Sequence, residues 1–192
     1  MIAGIDEVNK GQVIGPIFVS ICYTQTPLEK IPKVLDSKRK KNLDDLEYIL
    51  ERHNIKCKTE VISLDQLNSR KINHLITEKM KTLIVESQAS EVYVDSHYQK
   101  VEKLERDLDT SDLVTLRVSH RADESNSLVA LASLVALRAK MDYLRQAEKT
   151  YGPLGSGNLT DPKTICFLRR HHPDIPLLKK RWSLRSVFPL PL

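Results

Sequence analysis

No apolar run in this chain approaches the ~20 residues needed to cross a bilayer, so a membrane-spanning helix is not expected. Cysteine is scarce: Cys22, Cys57 and Cys166 lie far apart with no metal-ligand spacing, which argues against a disulfide framework and against a zinc site. There is no low-complexity tract and no internal repeat. No secretory signal is expected either, because Asp6 and Glu7 interrupt the apolar start. A reducing, cytoplasmic location follows as the expectation, and it empties Asn158-Leu159-Thr160 of meaning as a glycosylation sequon.

What is present reads as an ordinary globule, 41% hydrophobic and 29% charged over 192 residues. That length allows one well-buried core, expected over residues 1–165, with residues 166–192 as a C-terminal extension. Thirty Lys and Arg against 25 Asp and Glu give a net charge of +5, which permits nucleic-acid binding without requiring it. The basic residues cluster at Lys38–Lys41 and again at Arg169, Arg170, Lys179, Lys180, Arg181 and Arg185. Each cluster alone reads as a solvated face; set against separate acids, the two fit a protein that holds a polyanion and binds metal elsewhere.

Periodicity predicts strands over 2–6, 12–23 (broken by Gly15-Pro16), 56–62, 91–95 and 113–118, the first two as an antiparallel hairpin. Helices are predicted over 42–53, 64–87 with Ser63 as cap, 99–108, 127–146 and 162–170. Strands alternating with helices indicate an α/β fold with parallel pairings, and Ala130, Ala136 and Ala139 would let the long helix lie close to the sheet.

The chemistry sits at strand ends. Asp6 and Glu7 close the run Met1-Ile2-Ala3-Gly4-Ile5, Asp95 closes Val92-Tyr93-Val94, and Asp123 follows the strand ending near Val118. Taken singly, each acid reads better as a cap or turn residue than as a metal ligand. Together they would gather where open α/β sheets place their sites, and clustered carboxylates repel unless hard cations such as Mg²⁺ or Mn²⁺ neutralise them. Two such ions ~3.5 to 4 Å apart can hydrolyse a phosphodiester. Gly155-Ser156-Gly157 lacks the preceding strand of a nucleotide-binding turn, His171-His172 reads as surface, and Trp182 reads as a packing anchor.

Five segments, in order over about residues 1–170, resemble the ribonuclease HII family of the ribonuclease H superfamily. They are Gly4-Ile5-Asp6-Glu7 with Val13-Ile14-Gly15-Pro16; Asp36-Ser37-Lys38; Val92-Tyr93-Val94-Asp95; Arg121-Ala122-Asp123 with Ala132-Ser133; and Tyr151-Gly152, Gly155-Ser156-Gly157 and Asp161-Pro162-Lys163-Thr164. Arg181-Trp182-Ser183 is more like the archaeal branch. The resemblance implies a ribonuclease H-like mixed sheet flanked by helices, and hydrolysis of the RNA strand of RNA/DNA hybrids to 3′-hydroxyl and 5′-phosphate ends. It implies that Asp6, Glu7, Asp95 and Asp123 bind two Mg²⁺ or Mn²⁺ ions, with Asp6 bridging and Asp95 as its partner. Asn9, Lys10, Gly11, Ser37, Lys38, Ser133 and Asn158 would contact substrate, an RNA/DNA hybrid or a DNA duplex containing ribonucleotides. A monomer is expected, and the resemblance leaves room for a sliding-clamp partner.

Two departures stand out. The family places Gly-Arg-Gly where this chain has Asn9-Lys10-Gly11, and a tyrosine where it has Asn158. Lysine keeps the charge of arginine but loses its fork, and asparagine cannot stack, so weakened recognition of a single embedded ribonucleotide is expected. Asparagine does tolerate left-handed geometry, which leaves the turn itself feasible. A hybrid-binding protein without turnover, and a DNA nuclease on the same fold, are the alternatives.

Overall fold

The computed structural model describes residues 1–34, 43–108, 114–171, 175–184 and 187. Five strands, β1 (Ile2–Val8), β2 (Ile17–Thr24), β3 (Lys56–Ile62), β4 (Glu91–Asp95) and β5 (Thr115–Ser119), form one mixed sheet in the order β3-β2-β1-β4-β5. β2 runs antiparallel to β1 and β3, while β1, β4 and β5 are parallel. The α/β architecture read from the sequence is the one observed.

Both faces are covered, which is why the central strands are apolar on both sides. Helices α1 (Leu46–Arg52) and α5 (Ser127–Tyr151) bury Leu46, Leu128, Leu131 and Leu134 with Cys22 on one face. On the other, α3 (Ile72–Ser87) and α4 (Val101–Leu108) bury Leu75, Ile76, Met80, Leu83 and Leu104 against Ile5, Val92 and Val94. A third apolar cluster joins the far end of α5 and α6 (Pro162–His171) to Val13, Ile14 and the tail residues Ile175, Leu177 and Leu178.

Three elements differ from the periodicity reading. Residues 13–15 are not part of β2: Gly15 takes φ +83° ahead of Pro16, and their backbone pairs elsewhere. Val13 N donates to Gly157 O and Gly15 N to Leu177 O, each at 2.9 Å, and Ile14 bridges Leu178. The helix expected over 64–87 is two, α2 (Leu64–Ser69) and α3, separated by extended Arg70 and Lys71. Ser69 Oγ turns back to Asp65 O and Gln66 O, competing for the last carbonyls of the helix, and Asn68 Oδ1 accepts the Lys180 amide of the tail. Ser63 does cap α2, in a reciprocal box with Gln66. Finally, α5 runs on to Tyr151 and stops at Gly152, φ +76°.

Asn126 caps α5, its Oδ1 accepting from Leu128 N at 2.9 Å and Val129 N at 3.2 Å. Asn126→Ala is expected to cost about 1 kcal/mol, read as a lower urea midpoint at unchanged m.

Candidate active site

Parallel register brings the first carboxylates together. Ile2 to Ile5 of β1 pair in step with Glu91 to Val94 of β4, so Asp6 and Asp95 come next on adjacent strands and at the same level. Each stands two residues beyond Gly4 or Tyr93 and so shares its face, the one toward α5. Asp6 is buried; its Oδ1 accepts the Glu7 amide at 2.7 Å, and Ser133 of α5 hydrogen-bonds its side chain. Asp95 Oδ1 accepts the Ala122 amide at 2.7 Å. That amide belongs to a turn opened by Arg121 at φ +55°, and the turn's short 3₁₀ segment Ala122–Glu124 carries Asp123.

The charges of these acids act on one another. Burial pushes the Asp6 carboxyl well above the usual carboxylate range, and the charges of Glu7 and Asp95 add to this. Burial likewise pushes Glu7 up to about 7; the Lys10 ammonium opposes that rise and Asp95 reinforces it. Asp95 is raised by burial, with the Ala122 amide pulling down and Asp123 pushing up. Glu7 Oε2 is buried and has no hydrogen-bond partner. Among the described residues no three His, Cys, Asp or Glu side chains form a ready-made set of metal ligands. The donors are nevertheless all oxygens, mutually repelling, with one orphaned, and hard divalent cations such as Mg²⁺ or Mn²⁺ fit that chemistry.

Beside the acids lies the turn at residues 9–12. Asn9 holds φ +81°, the left-handed geometry its side chain tolerates, and its Nδ2 donates to Ile14 O at 2.8 Å and Pro16 O at 2.7 Å. Lys10 Nζ donates to the His97 carbonyl, so this cation ties two loops together. Gly11 is exposed, and a Cβ there would meet nothing within 4 Å. Asn158 Oδ1 accepts from Thr160 N and Oγ1, both at 3.1 Å, making a local turn in the loop whose Gly157 docks on Val13. Ser37 and Lys38 lie outside the described residues.

Two features went unread in the sequence. Lys179, which the sequence groups with a basic surface cluster, is fully buried under the turn at residues 9–12. A cavity of about 640 Å³ also opens beside Tyr98 and Trp182, lined by Arg70, Lys71, His74, Lys103 and Arg181, with no carboxylate among its lining residues.

The family model described as Ribonuclease HII matches residues 3–184. Ribonuclease HII of Archaeoglobus fulgidus is 33% identical over 172 residues, which cover 85% of this chain and 83% of the relative. In the solved complex of PCNA with ribonuclease HII from the same organism, the matching chain superposes with a TM-score of 0.86 at 26% identity, over 100% of this chain and 98% of that one. Bst ribonuclease HIII, solved in complex with Mn²⁺, shares the fold with a TM-score of 0.66 at 22% identity, over 88% of this chain and 61% of that one.

Proposed function

The chain belongs to the ribonuclease HII family, and from that premise we propose that it hydrolyses the RNA strand of RNA/DNA duplexes with two divalent cations held by Asp6, Glu7, Asp95 and Asp123. The observation that carries this reading is the parallel register that sets Asp6 beside Asp95 at the carboxyl ends of β1 and β4, with Asp95 bonded to the turn that carries Asp123. When bound, Mg²⁺ or Mn²⁺ supplies an activated water and offsets the charge that gathers on the phosphodiester, leaving 3′-hydroxyl and 5′-phosphate ends. The Mn²⁺ of the ribonuclease HIII neighbour supports an ion of this class.

The protein's own groups fix the acids. Ser133 and the Glu7 amide fix Asp6, and the Ala122 amide fixes Asp95, so that both carboxylates would be held ready for a cation. Glu7 keeps an unpartnered oxygen that would be available to a cation, and Asp123 would add a further carboxylate donor. His97 is not poised to take the proton: it is held at Nε2 by the Asn73 carbonyl and the Thr77 hydroxyl, and burial pushes it down to about 4. In the cavity beside Trp182, Arg70 is paired with Glu78, while Lys71, Lys103 and Arg181 would be available to phosphates of a bound duplex.

Recognition of a lone ribonucleotide is weakened in this reading, because Lys10 is tied to His97 and Asn158 to Thr160. The chain acts in the cytoplasm as a monomer, with a sliding clamp as a partner; the PCNA complex of the Archaeoglobus relative supports the last point. Among the described residues no helix is long and apolar enough to cross a membrane.

A panel of full RNA/DNA hybrid, DNA duplex with one ribonucleotide, and all-DNA duplex, each in Mg²⁺ and then Mn²⁺, tests the proposal. The hybrid is expected to be cut fastest and the all-DNA duplex not at all. Equal or faster cutting at the single ribonucleotide would remove the specificity claim. Binding without turnover, or cutting of DNA, would replace the reading with one of its alternatives.

A further inference from the structure

We propose that Lys179 is a positioning residue that shapes the turn at residues 9–12 from beneath and through it sets which ribonucleotide-containing duplexes are accepted. This rests on the ribonuclease reading above. Lys179 is fully buried, yet its Nζ donates to the carbonyls of Asn9 and Gln12. Its backbone amide donates to Val13 O at 2.9 Å, beside the Ile14–Leu178 bridge and the Gly15 N to Leu177 O bond. Three residues on, Trp182 Nε1 donates to Lys10 O at 3.1 Å, and the Trp182 ring centre lies 5.1 Å from the Lys179 ammonium. The tail from Leu177 to Trp182 is therefore a strap that receives carbonyls from Asn9, Lys10, Gln12 and Val13.

A buried ammonium is costly, and here the nearby charge makes it worse. Burial pushes Lys179 down to about 7, the Lys140 ammonium of α5 adds repulsion, and among the described residues no carboxylate pairs with it. What offsets that cost is the pair of converging carbonyls of Asn9 and Gln12, which accept from it. The same bonds tie Asn9, at φ +81°, to the strap. Lys10 reaches the His97 carbonyl from within this strapped turn, so the strap also fixes where the turn lies relative to the strand that delivers Asp95. A lysine 170 residues away in sequence thus controls the backbone beside the acids while touching none of them.

Lys179→Met keeps much of the length and apolar stem but removes the donors; Trp182→Phe keeps a ring and removes only the donor to Lys10 O. In Lys179→Met, KM for a full hybrid is expected to rise about tenfold with kcat changed by less than about threefold, because ground-state placement is lost while the acids are intact. The ratio of kcat/KM on single-ribonucleotide duplex to kcat/KM on hybrid should shift by at least about threefold, with Trp182→Phe shifting it the same way by less. Should Lys179→Met fail to melt cooperatively, Trp182→Phe alone decides. A merely structural lysine would lower the melting temperature and leave KM and the substrate ratio at wild-type values in folded variants, and that result overturns the proposal. A wild-type chain inert on every duplex would instead overturn the ribonuclease reading and take the specificity role with it.

Discussion

Asp6→Asn is expected to cut the cleavage rate by about 10³-fold or more while leaving the metal-free fold as stable as the wild type, or more so. Asparagine has nearly the shape of aspartate and can still meet the Ser133 hydroxyl and the Glu7 amide. It cannot neutralise a cation, so the loss falls on chemistry. Stability moves the other way, because the substitution removes a desolvated charge repelled by Glu7 and Asp95. Glu7 gives the pH dependence. Its ordinary value of 4.5 rises to about 7 on folding, so between those pH values the folded chain keeps a proton that the unfolded chain has lost. Metal-free stability should therefore fall as pH rises from about 4.5 to 7, by a few kcal/mol at most from this one group, and level off above. Mg²⁺ should restore what ionisation takes away. Melting curves in chelator and in Mg²⁺ across that range check the sign, and a metal-induced rise in melting temperature that does not grow with pH would contradict it.

Gly4→Ala should be the most damaging single methyl in the sheet. A Cβ on Gly4 would stand 2.3 Å from Leu128 C and 2.3 Å from Val129 N, both backbone atoms of α5, so no rotamer change relieves the clash. The helix must lift from β1, taking Ser133 away from Asp6 and dragging the turn that carries Asp123. A loss of about 4 kcal/mol is expected, beyond the usual cost of an overpacked core because the obstruction is backbone, with a fall of about 10 °C in melting temperature. Cleavage should fall even below the melting transition. Gly11→Ala is the control: its Cβ meets nothing within 4 Å, and its stability should stay within about 0.5 kcal/mol of wild type. Comparable losses in the two variants by urea denaturation would contradict the packing argument.

The acids were legible because each strand signal ended abruptly in a carboxylate, a pattern visible within five or six residues. That they would gather is what the fold class predicts, whereas the register that sets Asp6 beside Asp95 joins strands 89 residues apart and has no local signature. The break at Arg70-Lys71 has little local signature because Leu64 and Leu67 before it, and Ile72, Leu75 and Ile76 after it, are each helically spaced; the five-residue step from Leu67 to Ile72 is the one trace of it. Cys22 and Cys57 illustrate the same limit: distant in sequence, they oppose each other across β2 and β3 with their sulfurs 2.7 Å apart as free thiols. Lys179 was hidden by its company. Lys180 and Arg181 beside it are exposed, and the available clue was the apolar run Ile175-Pro176-Leu177-Leu178 leading into it.

Mapping the product ends on an RNA strand hybridised to DNA tests water attack at the acid cluster most directly. With Mg²⁺, internal cuts carrying 3′-hydroxyl and 5′-phosphate ends are expected from the wild type, none in chelator and none from Asp6→Asn. Ends bearing a 2′,3′-cyclic phosphate, or cuts that persist in chelator, would show attack by the ribose itself and contradict a cation-assisted hydrolysis at Asp6, Glu7, Asp95 and Asp123.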